Sequence, residues 1–279
     1  MRFMKSAFSL GIDNNSKYFH ISEFDRNEID NPNIYALSRI HYRYRIDKMV
    51  GFVTKVFHNP ENIKVVDIGC AQGNLSLLLA EMGYSVYAVD LRETYLEYSK
   101  LKYEHGKIVW LNENVEKIGT AYPQGTFDVV ILGELIEHCA FPENILADAM
   151  NLLREGGSLI VTTPNANKIF NDIQKFSKAQ DRQSLVNKQY GPDGCDHLFL
   201  FEISDMKSIK PLNSTIIESG YIGSSLVNRF TMPLLKLLPI VAINWIMKIA
   251  NLVWPVNRYL SYGLYWILRK NSSVKTSVN

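Results

Sequence analysis

Apolar residues are distributed along the chain in short runs that alternate with stretches of helical period. Five of these runs have the length of buried strands: 64–69, 85–90, 107–112, 127–133 and 158–163. Apolar positions at helical spacing separate most of them, near 74–82, 94–103 and 143–153. Apolar strands joined by helices predict a parallel sheet that is buried on both faces, which is an α/β fold.

Polar segments flank this alternating part of the chain. Residues 1–32 are polar and irregular, and a helix predicted from about Ile34 to Phe57 completes an N-terminal cap of residues 1–57. We expect residues 58–279 to form the main domain, with a polar lid at 165–200. The remaining predicted elements are a helix and two strands, near 204–212, 221–230 and 262–269.

An apolar segment at 231–256 precedes the last predicted strand and forms a helical insertion. The eleven residues between Lys236 and Lys248 include Asn244, so this segment is too short and too interrupted to span a bilayer. As a helix it is apolar over most of its surface, with one polar stripe that also contains Lys248 and Asn251. Such a helix either covers the sheet, as a lid or dimer face, or lies in a membrane interface.

The end of the first predicted strand carries a glycine motif, Gly69-x-x-x-Gly73. Glycines at such a bend let the backbone approach a ligand closely, because no Cβ intervenes. The helix that follows begins with N–H groups that suit a polar or anionic ligand edge. Asp90 ends the next strand, in the position of an acid that accepts hydrogen bonds from ribose hydroxyls. This order of strand, glycine turn, helix, strand and acid predicts a nucleoside-binding unit.

These motifs resemble those of class I S-adenosylmethionine-dependent methyltransferases over about half of the chain. The run from Val66 to Gly73 resembles the family's V-D-I/L-G-C-G-x-G motif, with Ala71 in place of the middle glycine. Asn114-Val115-Glu116 resembles the acid-small-acid element that meets the adenine. The resemblance implies a Rossmann-like, mainly parallel, seven-stranded twisted sheet with helices on both faces, and S-adenosylmethionine as the cofactor.

The resemblance also implies which residues bind the cofactor. Those on the methionine and ribose side are Asp67, Gly69, Cys70, Gly73 and Asp90. Those at the adenine are Leu91, which packs on the ring, and Asn114 and Val115, which meet its edge. Gly133, at the end of the fourth strand, exposes its backbone beside the methionine part.

Four residues are candidates for the reactive end of the site: Glu134, Glu137, His138 and His197. If the segment after the fourth strand is helical, Glu134, Glu137 and His138 lie on one face at i, i+3 and i+4. His138 could then act as a general base on an attacking hydroxyl. Alternatively, the two glutamates and His138, with His197 as a fourth ligand, could hold a divalent metal that lowers the pKa of the hydroxyl. The Glu-His pair could also serve only to position the loop or the substrate.

Composition narrows the class of protein further. Lys and Arg number 30 and Asp and Glu number 28, which lacks the basic excess typical of nucleic-acid binders. The three cysteines contain no C-x-x-C pair, which argues against a disulfide framework and a cysteine zinc site. We therefore expect a reducing, cytoplasmic location. Residues 1–10 lack the long apolar run of a signal peptide.

The expected function is transfer of a methyl group to oxygen of a small, sugar or lipid-linked acceptor, with peripheral membrane contact as an open alternative for the apolar segment. The E-x-x-E-H element resembles that of ubiquinone-biosynthesis O-methyltransferases. It also resembles that of small-RNA 2′-O-methyltransferases, in which this element and a later histidine hold a metal. A metal-dependent RNA 2′-O-methyltransferase and a non-catalytic binding protein with the same fold remain the alternatives. The sequence leaves the oligomeric state open.

Overall fold

The computed structural model describes residues 4–168, 172–191, 197–253 and 255–272, and its centre is a seven-stranded sheet. The strands are β1 (Lys64–Ile68), β2 (Ser85–Asp90), β3 (Lys107–Asn112), β4 (Phe127–Gly133), β5 (Leu153–Pro164), β6 (Ser214–Ile222) and β7 (Gly263–Lys270). The α-helices are α1 (Phe19–Asn27), α2 (Leu37–Val56), α3 (Asn74–Glu81), α4 (Glu93–Lys102), α5 (Ile118–Ala121), α6 (Pro142–Leu152), α7 (Met206–Ile209), α8 (Met232–Leu235), α9 (Ile240–Ala250) and α10 (Asn257–Leu260). Part of the predicted polar lid at 165–200, including Cys195 and Asp196, lies outside the described residues, as does Trp254 in the apolar segment at 231–256.

The strands follow the order β3-β2-β1-β4-β5-β7-β6. β1 to β5 pair in parallel, whereas β7 runs antiparallel to both of its neighbours. The chain order reverses between β1 and β4, and ligands of open α/β sheets bind at this kind of switch point. The mainly parallel seven-stranded sheet predicted from the sequence is confirmed.

Two hydrophobic cores lie on the two faces of the sheet. Val66 and Val130 contribute to one core and their neighbours Val65 and Val129 to the other, as the two-residue period of a strand requires. α6 covers the first core, and α2 and α3 cover the second. Because both faces are buried, the strands consist of continuous apolar runs, and this is why they could be recognised in the sequence.

The N-terminal part is more regular than predicted, because residues 1–32 include α1. The helix buries Asp25, which is fully enclosed together with Lys102 of α4. The Nζ of Lys102 lies 2.5 Å from Asp25 Oδ2 and donates to Asn74 Oδ1 at 2.6 Å. Asn74 Nδ2 donates in turn to Asp25 Oδ1 at 2.8 Å. A buried ion pair leaves no apolar periodicity in the sequence. The prediction that residues 1–32 are irregular is therefore wrong for α1.

Two elements near the C-terminus also differ from the prediction. The strand expected at 221–230 is β6, which begins at Ser214 and ends at Ile222. β6 lies at the edge of the sheet, where its partner among the described strands is β7. An edge strand need not be apolar throughout, so the sequence of β6 includes Glu218 and Gly220 and is not a continuous apolar run. The helix expected at 204–212 is limited to α7, a single turn.

The insertion between β6 and β7 contains α8, α9 and α10. Ile243 and Met247 of α9 are fully buried in the core that includes Met49 of α2. The Nδ2 of Asn251 donates to the hydroxyl of Tyr44 on α2 at 3.1 Å. The insertion is therefore seated on α2. Across the described part of the chain, no helix has both the length and the apolar content needed to cross a membrane.

We expect Lys102→Met to lower the free energy of unfolding by about 3–5 kcal/mol, because it leaves the Asp25 carboxylate buried without a counter-charge. Urea unfolding of the purified protein measures this. Adding Asp25→Asn should recover much of the loss. Lys17→Met, which removes the exposed pair with Glu97, is the matched control and should change stability little. Equal effects of the two lysine variants would contradict the prediction.

Candidate active site

A cleft of about 320 Å³ lies at the carboxyl ends of β1, β2 and β4, where the order of the strands along the chain reverses. Most of the residues predicted to bind the cofactor line this cleft: Asp67, Gly69, Cys70, Asp90, Leu91, Asn114, Val115 and Gly133. Two of the residues predicted for the reactive end, Glu134 and His138, line it as well. The parallel register brings these residues together, because it ends the strands at one edge of the sheet.

The glycine turn is held by hydrogen bonds within the protein. The N–H groups of Gly69 and Cys70 both donate to the carbonyl of Val89, at 2.8 and 3.0 Å. The N–H of Ala71 donates to Asp90 Oδ2 at 2.8 Å. These three N–H groups of the turn are therefore already bonded inside the protein. A pyrophosphate would need free donors, whereas a nucleoside does not.

Backbone conformation explains the residue types of this turn. Gly69 has φ +75° and Ala71 has φ +47°, in the left-handed region where a Cβ is unfavourable. Gly73 has φ +74°, and a Cβ on it would lie 2.1 Å from Ser99 Oγ of α4. Gly73 is not among the described residues that line the cleft. Its contact with the cofactor stays a prediction, and close packing of α4 against the turn by itself requires a glycine at this position.

Two carboxylates, Asp67 and Asp90, form an acidic floor beneath the cleft, and each is only 4% exposed. Asp67 Oδ2 accepts from Ser76 Oγ at 2.6 Å, and Asp90 Oδ1 accepts from the N–H of Arg92 at 2.9 Å. Burial, reinforced by Asp90, raises the pKa of Asp67 to about 6. A cationic ligand would lower that pKa again, because it stabilises the ionised carboxylate. The floor therefore favours a ligand that carries positive charge.

Asn114 and Leu91 occupy the side of the cleft that was predicted to meet the adenine. The side-chain oxygen of Asn114 accepts from the N–H of Glu116 at 3.0 Å, which caps a 3₁₀ turn at Val115–Lys117. One lone pair of that oxygen is thus already used, and its amide NH₂ remains as a donor. Leu91 is 46% exposed, as expected for an apolar side chain at the mouth of a binding cleft.

The N-terminal cap supplies a wall of the cleft that motif analysis did not assign to the cofactor site. Glu28, Tyr42 and Arg45 line it. Burial raises the pKa of Glu28 to about 7, against the opposing effect of Arg45. The Arg45 guanidinium lies 3.2 Å from Glu134 Oε2 and over the ring of Tyr42. In the sequence, Tyr42 and Arg45 lie in the helix predicted from about Ile34 to Phe57, outside the motifs that resemble the methyltransferase family.

The segment after β4 does not form the predicted single helical face. Glu134 has φ +53°, which turns the chain before a short 3₁₀ helix at Ile136–His138. Its carboxylate points to Arg45 rather than to the group formed by Glu137 and His138. The i, i+3, i+4 arrangement of Glu134 with those two residues is therefore wrong, because the turn breaks the helical path between them.

Glu137, His138 and His197 form a compact group, with one potential ligand atom from each lying within 4.8 Å of the others. The two imidazole centroids are 4.9 Å apart. The N–H of Leu198 donates to the carbonyl of Glu137 at 2.8 Å, which fixes the distant His197 beside the loop. A carboxylate and two imidazoles suit a divalent metal, and either imidazole suits a general base.

Glu137 is fully buried in this group. Its Oε2 accepts from Thr163 Oγ1 at 2.9 Å, while its Oε1 has no hydrogen-bond partner among the described residues. Burial and the neighbouring Glu134 raise the pKa of Glu137 well above its usual value. Such a carboxyl either keeps its proton or ionises when a cation arrives, so the open Oε1 is a position where a metal would fit.

Comparison with known proteins agrees with this fold. The family described as "Methyltransferase domain" matches residues 40–209. A ubiquinone biosynthesis O-methyltransferase of Thiobacillus denitrificans is 37% identical over 106 residues, 37% of this chain and 45% of that protein. The corresponding protein of Xanthomonas axonopodis is 29% identical over 162 residues, 54% of this chain and 64% of its own length. The matched part thus spans less than two thirds of either relative.

Solved structures show the same fold. Magnesium protoporphyrin IX methyltransferase from Synechocystis PCC 6803, with bound SAH, aligns with a TM-score of 0.56 at 17% identity, covering 91% of this chain and 96% of that one. The PH0226 protein from Pyrococcus horikoshii aligns with a TM-score of 0.55 at 14% identity, covering 92% and 99%. At such identities these matches support the architecture alone.

A switch-point cleft with an acidic floor and an internally bonded glycine turn defines a nucleoside-binding methyltransferase fold. With the match over 40–209, the chain belongs to the methyltransferase domain family. Within it, the chain belongs to the family of class I S-adenosylmethionine-dependent methyltransferases, whose cofactor is S-adenosylmethionine. The residues present fit that cofactor, because its two positive charges complement the carboxylates beneath the cleft.

We expect Asp67→Asn to reduce the pH dependence of stability. The pKa of Asp67 is about 6 when folded and about 3.9 when unfolded, so its protonated form favours folding. That contribution, about 3 kcal/mol, is fully present below pH about 4 and is lost as pH rises through about 6. Urea unfolding from pH about 4 to about 7.5 should therefore show the wild type losing about 3 kcal/mol more than the variant. Parallel curves for the two proteins would contradict this interpretation of Asp67.

Proposed function

We propose that the protein transfers the methyl group of S-adenosylmethionine to an oxygen atom of a small acceptor. The observation that carries the proposal is the position of the Glu137, His138 and His197 group. His138 belongs to this group and also lines the cleft, so acid-base or metal-binding side chains border the cofactor site. The similarity to ubiquinone biosynthesis O-methyltransferases supports an oxygen acceptor.

The cleft residues have complementary tasks in holding the cofactor. Asp67 and Glu28 are the acids available for the methionine ammonium group, and Arg45 is a cation available for its carboxylate. Asp90 keeps lone pairs for the ribose hydroxyls, beyond the two N–H groups that it already accepts. When bound, the cofactor supplies a sulfonium methyl group that is open to direct displacement. The main contribution of the protein is to align an acceptor with it and exclude water.

The Glu137, His138 and His197 group would activate the acceptor hydroxyl. In one form, an imidazole accepts the hydroxyl proton as the oxygen attacks. In the other, the three side chains would hold a divalent cation, which would supply the Lewis acidity that lowers the pKa of the acceptor hydroxyl. The buried, unpartnered Oε1 of Glu137 favours the metal form, since an ionised carboxylate there would otherwise lack a counter-charge.

The acceptor would enter between the cap and the polar segment at 165–200. Tyr190 and Gly191 of that segment line the cleft, and His197 lies at its far end. Arg182 anchors the segment to α6 through Glu143, with both guanidinium nitrogens donating at 2.7 and 2.8 Å. We propose that residues 1–57 and this segment form the acceptor-side walls, and that the acceptor is a small, sugar or lipid-linked molecule.

We expect Asp90→Ala to weaken binding of S-adenosylhomocysteine by at least about tenfold, since it removes a buried acceptor that can bond the ribose. Isothermal titration calorimetry measures this. Glu93→Ala, three residues further on at the exposed start of α4 and outside the described lining residues, is the matched control and should bind like the wild type. Failure of the wild-type protein to bind the ligand at high micromolar concentration would overturn the proposed function.

We expect Glu137→Gln and His197→Ala to reduce methyl transfer by about 100-fold or more while leaving cofactor affinity within about twofold. The assay transfers label from radioactive S-adenosylmethionine to fractionated cell extract, with and without a chelator followed by Mg²⁺ or Mn²⁺. Loss with chelator and recovery with metal identify the metal form. Chelator-resistant activity that falls below the pKa of a histidine identifies the general base. Full activity in both variants would contradict any role for this group.

A further inference from the structure

The insertion between β6 and β7 exposes an unusual number of large apolar side chains. We call them the apolar surface: Phe230, Leu234, Leu237, Leu238, Val241, Trp245, Ile249, Leu252, Val253, Val256 and Tyr259. Leu237 and Leu252 are 79% and 81% exposed, and Trp245 is 58% exposed. Single exposed apolar residues are ordinary, but a concentration of them within one segment indicates a contact with another apolar phase.

α9 carries apolar residues on two opposite faces. Its inner face buries Ile243 and Met247 against the core of the protein. Its outer face presents Val241, Trp245 and Ile249 at four-residue spacing, all more than half exposed. The inner residues already account for the attachment of the helix to α2. The outer residues contribute nothing to folding and therefore require a different explanation.

Charge along this part of the sequence has a single sign, although in the fold Arg258 pairs with Glu202 from another segment at 3.5 Å. After Glu218 the sequence contains no Asp or Glu up to its last printed residue, Asn279. The same stretch contains seven basic residues: Arg229, Lys236, Lys248, Arg258, Arg269, Lys270 and Lys275. The rest of the chain carries all 28 acidic residues, so this end of the sequence is basic although the whole chain is near neutral.

Three of these cations lie beside exposed aromatic rings. Lys248 Nζ is 5.0 Å from the ring centroid of Trp245. The guanidinium groups of Arg229 and Arg258 lie 4.7 and 5.7 Å from the rings of Phe230 and Tyr259. Aromatic side chains next to cations are characteristic of helices in a bilayer interface, where the ring enters the acyl boundary and the cation meets the headgroups.

We propose that the apolar surface binds the interface of a bilayer containing anionic lipids. A second copy of the same face is a poorer occupant, because it would bring basic residues against basic residues, and the insertion itself contains no Asp or Glu to pair with them. Anionic headgroups supply the missing charge, and the acyl boundary covers the apolar side chains. α9 has eleven residues and is about 16 Å long, so it would lie in the interface rather than cross the bilayer.

This surface is linked to the cleft through one helix. α2 contacts the insertion through Tyr44 and Asn251, and it lines the cleft with Tyr42 and Arg45. The bilayer would thus lie about one helix diameter, roughly 10 Å, from the cleft wall. Access to a lipid-linked acceptor follows from this geometry and rests on the proposed function. Membrane binding itself does not depend on methyl transfer.

Flotation of the purified full chain with vesicles tests the proposal. Vesicles of phosphatidylcholine with about 30% phosphatidylglycerol should carry the protein upward, and pure phosphatidylcholine vesicles should carry much less. Rising salt should weaken the binding because it screens the headgroup charge. Absence of binding to both kinds of vesicle overturns the proposal.

Two sets of variants separate the contributions. Leu237→Ser, Trp245→Ser and Leu252→Ser combined should lower vesicle affinity at least about tenfold, because three exposed apolar groups no longer enter the acyl boundary. Lys236→Gln with Lys248→Gln should lower affinity for anionic vesicles about fivefold for each lysine. Leu212→Ser, at an equally exposed leucine outside the insertion, is the control and should float like the wild type.

Two further measurements decide between explanations. Affinity for S-adenosylhomocysteine should stay unchanged in the triple and double variants, which shows that loss of flotation is not loss of the fold. Sedimentation velocity reports the alternative occupant: a wild-type dimer that the triple variant dissociates would overturn the membrane proposal in favour of self-association. A protein that binds vesicles but transfers no methyl group would leave this proposal standing and reject the proposed function.

Discussion

The parallel register of β1 with β2 and β4 is the constraint on which the functional architecture depends. It aligns Ile68 with Val89 and with Leu132, so that the three strands end together. The functional groups of the cleft lie at these strand ends. The glycine turn follows β1, Asp90 is the last residue of β2, and the loop that carries His138 follows β4. A shift of one residue in any of these strands would turn its alternate side chains to the wrong face and misplace the group that follows it.

Stability and function are opposed at this edge of the sheet. Asp67 is buried with no ion-pair partner in the described part of the chain, and Ala71 occupies a backbone region that glycine tolerates better. Each feature is unfavourable for folding alone. Both lie where a cationic nucleoside would be held, and the apolar strands behind them are continuous enough to support the strain. These unfavourable contributions to the free energy of folding therefore lie where the free energy of ligand binding can offset them.

How well each feature can be predicted from the sequence depends on how far apart along the chain its interacting residues lie. β1, β2 and β4 were predicted to within one residue because a doubly buried strand has a local signature, whereas β5 begins at Leu153, five residues before the predicted start. Asp67, Asp90 and Asn114 were found because each lies in such an apolar run or just after one. The role of Glu28 and the burial of Asp25 depend on contacts with residues distant along the chain, which a local pattern does not contain. The predicted position of Glu134 is wrong for a different reason. Its own positive φ turns the chain, so the segment after β4 does not continue as the predicted helix.

The insertion leaves the sheet after Ile222 and returns at Gly263, and these two residues are register partners in adjacent antiparallel strands. Its two ends are thus as close as those of a tight hairpin, whatever lies between them. Lengthening or shortening the segment changes loop entropy only slowly and leaves the register of every strand intact. The segment between these two residues can therefore be replaced during evolution without disturbing the cofactor site. Replacing this one insertion could change where in the cell the same catalytic core is located.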